Sequence, residues 1–355
     1  MVVIDKGGVA EARACAARLE HALAEAVPVD GMELAVSAGI GIAVDDGHTG
    51  QAEELLRDAD IALYRAKAAG RARTEMFDVK HRDTIVLRHR LKTDLDRAIE
   101  RDEIFVVYQP IIRLGSGAVT GFEALIRWRH PELGLVSPVE FIPVAEEFGK
   151  ILDLGRFVLK QAASDMAVLR AAVPEAGRIS VNVNLSPRQM WDEGHVIEMT
   201  GLLAQPDFAD IKIEVTESLA VTNPEAARKI LLRFRELGVK LCIDDFGTGY
   251  SSLSHLARFP FDVLKLDKSF IADLAELGAD QIRLVRAVVT LAHDLGLEVV
   301  AEGIETAAEH DCLRQFGCDY GQGYLFAKPL PAEEARLFLR SHAQAVASAD
   351  LPSLV

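Results

Sequence analysis

Short apolar runs alternate with helical patterns over most of this 355-residue chain. Eight runs have the length and composition of buried strands, at residues 105–111, 121–128, 179–185, 211–216, 240–243, 263–266, 298–301 and 320–325. Apolar residues at helical spacing fill the intervals, at about 143–172, 189–203, 224–237, 280–295, 307–316 and 332–342. This alternation predicts an α/β fold whose larger part is a (β/α)8 TIM-like barrel.

The first two predicted strands are too close in sequence to be parallel neighbours. Only the segment Arg113-Leu-Gly-Ser-Gly-Ala118 and a few flanking residues connect them. A parallel crossover needs about a dozen residues or more, usually including a helix. The sequence therefore predicts a hairpin, so that the barrel begins with an antiparallel first strand.

Composition limits the class of function. The net charge is -15 and the pI is about 5.2, with no basic cluster, which argues against a partner that is a nucleic acid polymer. An anionic substrate would then need metal ions. The four cysteines show no Cys-x-x-Cys spacing, and neither a signal peptide nor a membrane-length apolar run is present. We expect a cytoplasmic protein with no membrane segment in this chain, although the parent protein could carry a membrane or sensory region upstream.

Two adjacent carboxylates follow the apolar run 240–243. Asp244 and Asp245 stand between buried-strand residues and the glycine-rich turn Phe246-Gly-Thr-Gly249. Unpaired charges there would be costly, and a cation is the simplest remedy. Taken alone, the aspartates fit a solvated turn that caps the next helix equally well. Because neighbouring strand residues face opposite sides, both can serve one site only if the strand breaks at Asp244.

Polar residues stand at or just past the carboxyl ends of almost every predicted strand, the edge where barrel active sites are built. They are Glu123, Arg127, Asn184, Glu214, Glu217, Asp244, Asp245, Lys265, Asp267, Glu302, Glu305 and Gln322. A single carboxylate of this kind is usually an ion pair or a cap, whereas oxygen donors from six strands favour a metal site. Since neither His nor Cys is among them, Mg²⁺ or Mn²⁺ is favoured over zinc, and the paired aspartates suggest two ions.

The motifs of the predicted barrel resemble the EAL domain family over about residues 88–342. They are Tyr108-Gln-Pro-Ile111, Glu123-Ala-Leu-Ile-Arg-Trp128, Ser137-Pro-Val-Glu-Phe-Ile142, Asn184-Leu-Ser186, Glu214-Val-Thr-Glu217, Asp244-Asp-Phe-Gly-Thr-Gly249, Leu264-Lys-Leu-Asp267, Ala301-Glu-Gly-Ile-Glu305 and Gln322-Gly-Tyr324. The resemblance implies a two-metal phosphodiesterase of bacterial signalling, using Mg²⁺ or Mn²⁺, that hydrolyses cyclic di-GMP to linear 5′-pGpG. It also implies a homodimer formed through the barrel.

The same resemblance implies a role for each matching residue. One metal ion would be held by Glu123, Asn184, Glu214 and Asp244, and the other by Asp244, Asp245 and Glu302. The catalytic group would be Lys265, which orients the attacking water, with Glu302, Glu123, Asp244 and Asp245. Substrate contacts would come from Gln109, Arg127, Asp267, Glu305 and Gln322, with Arg127 on a phosphate oxygen, and Glu217 would anchor the loop after Asp245.

The residues before the barrel resemble a second family. Val36-Ser-Ala-Gly-Ile-Gly-Ile-Ala43 and Leu55-Leu-Arg-Asp-Ala-Asp-Ile-Ala-Leu-Tyr-Arg-Ala-Lys-Ala-Ala-Gly70 are similar to the carboxyl-terminal half of a GGDEF, or diguanylate cyclase, domain. The signature Gly-Gly-Asp/Glu-Glu-Phe turn is absent, so cyclase activity is not expected. We therefore predict a small truncated α/β GGDEF-like unit at 1–77, a linker helix at 78–101, the EAL barrel at 102–345 and a tail at 346–355.

Two other functions compete with the phosphodiesterase. The first is a catalytically silent sensor that binds cyclic di-GMP and acts through partner contacts, which a lost metal ligand would favour. The second is an enolase-like barrel, which also gathers acidic ligands at strand ends and can use a lysine base. All expected ligand positions are filled, and the paired aspartates and the predicted hairpin count against the enolase-like reading.

Overall fold

The computed structural model describes residues 8–24, 27–29, 32–34, 38–44, 52–68, 74–77, 79–216, 223–247, 258–272 and 279–349. The chain divides into two compact units, Met1–Thr93 and Asp94–Val355. A helix covers Val79–Ala98, where the sequence predicts one. Among the described residues, no helix is both long and apolar enough to cross a membrane.

The first unit is a small α/β arrangement. It contains the helices Gly8–Ala24 and Ala52–Ala68, the antiparallel pair β1 (Val27–Val29) and β2 (Met32–Leu34), and the parallel pair β3 (Ile40–Ile42) and β4 (Thr74–Met76). Gly41 lies so close to the second helix that a Cβ atom would be 2.2 Å from the Leu63 backbone nitrogen. Only glycine permits this approach, which joins the two segments that resemble a GGDEF domain.

The second unit contains a closed barrel of eight strands. They are β5 (Ile104–Arg113), β6 (Val119–His130), β8 (Ser180–Asn184), β9 (Ile211–Thr216), β10 (Lys240–Phe246), β11 (Val263–Leu266), β12 (Glu298–Ala301) and β13 (Tyr320–Gly321). Each pairs with the next, and β13 pairs with β5 to close the ring. The short strand β7 (Gly134–Val136) adds to β6 as a further antiparallel partner. The predicted (β/α)8 barrel is confirmed.

The hairpin at the start of the barrel is also confirmed. Strand β5 is antiparallel to both of its neighbours, β6 and β13, and pairs Gln109 with Glu123. The remaining barrel pairs, from β6 through β8 to β13, are all parallel. The carboxyl ends of these parallel strands therefore share one rim.

The helices of the second unit lie where the sequence predicts them, except that two of the predicted helices are each split into two. In the part of this unit that the structure describes, they are Pro138–Glu147, Ile151–Ala172, Pro187–Trp191, Glu193–Leu203, Pro224–Glu236, Ala279–Asp294, Ala307–Gln315 and Ala332–Ala349. The predicted helix 143–172 is two helices, because Gly149 adopts a left-handed conformation with φ +76°. The predicted helix 189–203 also divides, because Asp192 accepts a hydrogen bond from the His195 backbone and starts a new helix.

The last predicted strand, 320–325, is shorter than expected. Strand β13 ends at Gly321, and the following backbone turns to hydrogen-bond with Ile304 instead of continuing along the sheet. The Gln322 carbonyl accepts from the Ile304 backbone nitrogen at 3.1 Å, and the Leu325 nitrogen donates to the Ile304 carbonyl at 3.0 Å. Gln322 therefore lies at the rim rather than inside a strand.

Alternate residues of the barrel strands belong to two separate apolar clusters. The larger includes Val181, Ile213 and Leu264, which face the surrounding helices. The smaller consists of Ile111, Cys242, Val263, Val300 and Tyr320, whose positions alternate with those of the larger cluster. Because successive strand residues face opposite sides, this smaller set fills the barrel interior, and we refer to it as the interior cluster.

Candidate active site

Lys265 on β11 lies among four carboxylates at the rim of the barrel. Its Nζ is 2.6 Å from Glu302 Oε1, 2.9 Å from Glu214 Oε2, 3.1 Å from Asp244 Oδ1 and 3.5 Å from Glu123 Oε2. The Lys265 side chain is 1% exposed, so this ammonium group is shielded from water. The four carboxylates come from four different strands, β6, β9, β10 and the end of β12, as expected for an active site of a barrel. With Asp245, these groups form what we call the acidic centre.

The two adjacent aspartates reach the same point through an irregularity in β10. The strand continues through both residues to Phe246, but its register with β11 shifts between Ile243 and Phe246. Asp245 adopts a left-handed conformation with φ +55°. Carboxylate oxygens of Asp244, Asp245 and Glu302 all lie within 4.8 Å of one another. The expected break in the strand is therefore a β-bulge, which redirects a side chain that regular alternation would turn away.

Amide side chains fix both oxygens of Glu123. Asn184 Nδ2 donates to Glu123 Oε1 at 2.8 Å, and Gln322 Nε2 donates to Glu123 Oε2 at 2.6 Å. Gln322 Nε2 also donates to Gln109 Oε1 at 2.9 Å, and Gln109 Nε2 donates to the Ala327 carbonyl at 3.2 Å. Gln109 on β5 and Gln322 just past β13 thus join the site, so each of the eight barrel strands contributes a polar side chain from within the strand or directly after it.

The charges of the acidic centre perturb one another strongly. Burial lowers the pKa of Lys265, but attraction to the surrounding carboxylates outweighs it and raises that pKa well above its usual value. Burial raises the pKa of Glu302 to about 8, opposed by Lys265 and assisted by repulsion from Asp244. Burial also raises the pKa of Glu214 well above normal. Lys265 is therefore charged at neutral pH, while Glu302 and Glu214 tend to retain their protons.

The pKa values of Glu123 and Asp245 are shifted in opposite directions. Burial opposes ionisation of Glu123, but Lys265 and the hydrogen bond from Gln322 lower its pKa below the usual value. Burial, followed by repulsion from Asp244, raises the pKa of Asp245. One ammonium group is therefore not enough to compensate the whole acidic centre.

The donor set of the acidic centre fits divalent cations. With all five carboxylates ionised and Lys265 protonated, four negative charges are in excess, the number that two divalent ions neutralise. Asp244 Oδ1 is buried and accepts no hydrogen bond from any described residue, although Lys265 is nearby. Carboxylate and amide oxygens are ligands that Mg²⁺ and related hard cations prefer.

Arg127 is on β6, four residues after Glu123. Its Nη1 donates to the carbonyl of Ile126 at 2.8 Å. Burial lowers the pKa of Arg127, and the charges of Tyr324 and Glu123 act in the raising direction. The guanidinium group is thus held on the strand that carries Glu123.

Two other residues predicted to contact substrate have their recorded partners outside the acidic centre. Asp267 caps a short 3-10 helix by accepting from the Ser269 backbone nitrogen at 2.9 Å. Glu305 forms an exposed ion pair with Lys268. The predicted loop anchor Glu217, and the end of the glycine-rich turn after Gly247, lie outside the described residues.

Sequence reasoning missed Asn182. This residue is 1% exposed, and its Nδ2 donates to Glu214 Oε1 at 2.7 Å. The sequence feature that points to Asn182 is its position two residues before Asn184 on the same strand. Alternation along a strand places both side chains on one face.

The fold and the site define an α/β barrel protein with a cluster of acidic side chains, suited to binding a metal ion, at one rim of the barrel. Comparison with known families is more specific: this chain belongs to the EAL domain family, which its residues 92–329 match. EAL domains are metal-dependent phosphodiesterases. Residues 1–73 match the family described as diguanylate cyclase, GGDEF domain. Both family resemblances predicted from the motifs are confirmed.

Individual relatives carry related descriptions. The chain is 39% identical over 336 residues to cyclic di-GMP phosphodiesterase NbdA of Pseudomonas aeruginosa, covering 94% of this chain and 42% of that protein. It is 40% identical over 303 residues to cyclic di-GMP phosphodiesterase PdeR of Escherichia coli, covering 85% of this chain and 45% of that protein. The chain therefore spans less than half the length of these two curated relatives.

A solved structure described as PaMucR phosphodiesterase in a c-di-GMP complex superimposes with a TM-score of 0.64 and 39% sequence identity. The match covers 69% of this chain and 99% of that one. The two chains are therefore similar in both fold and sequence. Of the two units of this chain, only the one that contains the barrel is long enough to include the matched 69%.

Proposed function

We propose that this chain hydrolyses cyclic di-GMP to linear 5′-pGpG as a two-metal phosphodiesterase. The observation that carries the proposal is the convergence of carboxylates from four separate strands on Lys265. The descriptions of NbdA, PdeR and the PaMucR complex support the same substrate and reaction.

The acidic centre offers ligands for two ions, which we assign as Mg²⁺ or Mn²⁺. The first would be held by Glu123, Asn184, Glu214 and Asp244, and the second by Asp244, Asp245 and Glu302. Because Asn184 directs its Nδ2 to Glu123, its Oδ1 is the atom available to a cation. When bound, two such ions make a water molecule more acidic and offset the charge that develops on the phosphoryl group.

Lys265 has the position and the charge to orient the attacking water. Its pKa is raised by the carboxylates around it, so it stays protonated and able to donate a hydrogen bond at neutral pH. Glu302 and Asp245, whose pKa values are raised, must lose their protons before they can act as metal ligands. Occupation of the site should therefore be favoured as the pH rises towards 8.

Arg127 is the proposed contact to a non-bridging phosphate oxygen. A guanidinium group has five N–H donors, and the recorded hydrogen bond to Ile126 uses one of them. The planar arrangement of the others suits two phosphate oxygens at once.

The other proposed substrate contacts are Gln109, Gln322, Asp267 and Glu305. Gln322 has the strongest support, because its buried Oε1 accepts no hydrogen bond from any described residue and could accept one from a guanine N–H group. Asp267 and Glu305 are supported by their motif positions alone. Glu217 as the loop anchor is likewise a prediction from its motif.

We also propose the domain boundaries of the sequence analysis, with a GGDEF-like unit at 1–77 that lacks cyclase activity because the signature turn is absent. A homodimer through the barrel is a proposal from family resemblance, and light scattering coupled to size-exclusion chromatography would measure it.

Incubation with cyclic di-GMP and Mn²⁺ or Mg²⁺, followed by chromatography of the products, tests the activity. We expect linear 5′-pGpG, and none when a chelator removes the metal. Glu302→Gln should lower turnover at least a hundredfold, or about 3 kcal/mol of transition-state stabilisation. The matched control is Glu298→Gln at the opposite end of β12, where the carboxylate pairs with Lys240 and the Tyr320 hydroxyl, and turnover should stay near wild type.

A silent sensor is the alternative outcome. If cyclic di-GMP binds in calorimetry but stays intact at high protein concentration with Mn²⁺ present, the chain is a binding module and the proposed hydrolysis is wrong. If Glu302→Gln and Glu298→Gln have equal turnover, the reaction does not occur at the acidic centre.

A further inference from the structure

Asn182 connects the acidic centre to the interior of the barrel. It is the central residue of β8, and its side chain is 1% exposed. Its Nδ2 donates to Glu214 Oε1 at 2.7 Å, while the other oxygen of Glu214 pairs with Lys265. In the register of β8 with β9, Glu214 lies opposite Asn184, and Asn182 lies opposite Lys212, two residues earlier. Asn182 therefore holds Glu214 from below the rim.

Asn182 is surrounded by both apolar and polar side chains of the barrel interior. Its Nδ2 is 4.0 Å from Cys242 Sγ, a member of the interior cluster. A cavity of about 10 Å³ is lined by Asn182, by four members of the interior cluster and by Thr120, Ser180 and Lys212. This is about the space that one water molecule needs, and the polar lining would supply its partners. Asn182 thus lies between the acidic centre and this cavity.

Burial of an amide in such a layer is costly unless it gains hydrogen bonds. Asn182 Oδ1 accepts no hydrogen bond from any described residue, so the contact that offsets its burial is the one to Glu214. An aliphatic residue would fill this layer as the interior cluster does. The chemistry of Asn182 therefore serves Glu214 rather than packing.

The orientation of the Asn182 amide follows from its hydrogen bond to Glu214. Nδ2 carries hydrogen atoms to donate and Oδ1 does not, so the hydrogen bond to Glu214 Oε1 selects the observed orientation of the amide. The contact in turn prevents Glu214 from rotating about its last side-chain bond. With Oε1 held by Asn182, Oε2 is left directed at Lys265.

We propose that Asn182 is a positioning residue of the metal centre, which fixes the orientation of the Glu214 carboxylate beside Lys265. This inference rests on the proposed function in one respect, that Glu214 is a metal ligand. Residues that orient metal ligands typically contribute 10–100-fold to metal affinity.

The test is Mn²⁺ binding to the full chain, measured by calorimetry without substrate. We expect Asn182→Leu and Asn182→Ala to lower the affinity for one Mn²⁺ ion by about 10–100-fold. The affinity for the ion assigned to Asp244, Asp245 and Glu302 should change less. Ile111→Val is the control, because it removes one methyl group from the same cavity wall without touching Glu214. It should bind Mn²⁺ as wild type does.

Steady-state kinetics give a second readout. Because Asn182 acts through a metal ligand, saturating Mn²⁺ should restore most of kcat in both variants, and KM for cyclic di-GMP should stay unchanged. A merely structural role would instead lower Tm equally with and without Mn²⁺ and leave Mn²⁺ affinity unaltered.

Wild-type Mn²⁺ affinity in both Asn182 variants would overturn the inference. If Asn182→Leu does not fold, Asn182→Ala decides, since it removes atoms and adds none. If Mn²⁺ binding depends on Asn182 but wild-type protein leaves cyclic di-GMP intact, the proposed function fails and the positioning role stands.

Discussion

Replacement of Lys265 by methionine tests the electrostatics of the acidic centre directly. The side chain keeps its length and loses the charge that lies within 3.5 Å of four carboxylates. Removing one partner from a buried ion pair typically lowers the free energy of unfolding by about 3–5 kcal/mol. At about 2 °C for each kcal/mol in a domain of this size, Lys265→Met should lower Tm by about 6–10 °C without metal near pH 9, where Glu302 is ionised.

Tryptophan fluorescence in the presence of a chelator is a suitable assay. Both tryptophans of the chain, Trp128 and Trp191, lie in the second unit, so the signal reports unfolding of the barrel. The control is Lys268→Met, because Lys268 and Glu305 are 54% and 46% exposed and form a surface pair. Exposed ion pairs of this kind contribute little to the free energy of unfolding, so Lys268→Met should leave Tm almost unchanged.

The size of the Lys265→Met effect should depend on pH. Near pH 5 Glu302 holds its proton in the folded protein, whereas at pH 9, above its pKa of about 8, it is ionised, so the loss should be smaller at pH 5 than at pH 9. Mn²⁺ should also recover part of the loss, because bound cations replace the missing charge. A decrease in Tm of less than about 2 °C at pH 9, or an equal decrease at pH 5 and pH 9, would refute the reasoning.

Three further predictions concern single groups of the site. First, the pKa of Glu302 is raised from 4.5 to about 8, so the metal-free folded state binds more protons than the unfolded chain in that interval. Its contribution should lower the free energy of unfolding as pH rises from 4.5 to 8, by at most roughly 5 kcal/mol, which urea titrations in chelator at several pH values would measure; constant stability would contradict it. Second, Asp245 has φ +55°, so Asp245→Gly should be about 1 kcal/mol more stable than Asp245→Ala in urea unfolding, although both lose the carboxylate; equal stability would mean that the bulge relaxes. Third, Arg127→Ala should raise KM for cyclic di-GMP about tenfold or more, whereas Arg129→Ala, which removes a guanidinium that stacks on Phe105, should leave KM near wild type. Equal KM values would remove Arg127 from the substrate site.

Much of the architecture was predictable because it depends on local spacing. The short connection between β5 and β6 excludes a parallel crossover whatever else the chain does, and the structure has the hairpin. Glu123 and Glu214 were recognisable as charges inside otherwise apolar strand patterns, and Glu302 as a charge that follows one. Once a parallel barrel is assumed, its shared rim brings these residues together, so their proximity could be predicted without coordinates.

Other features depend on contacts between distant segments. The end of β13 at Gly321 is set by hydrogen bonds to Ile304, which a local apolar pattern does not reveal. The bulge that lets Asp245 join Asp244 follows from the register of β10 against β11. Sequence predicted that some break was needed, but its form depends on the neighbouring strand.

The sequence by itself determined the barrel, the family and the residues at the rim, because spacing along the chain and the types of side chain are local properties. Only the tertiary structure decided that Lys265 lies among four carboxylates and that Asn182 holds Glu214 from within the barrel. The physical reason is that pKa shifts and hydrogen bonds depend on distances of a few ångströms between residues far apart in sequence, and the folded barrel sets those distances.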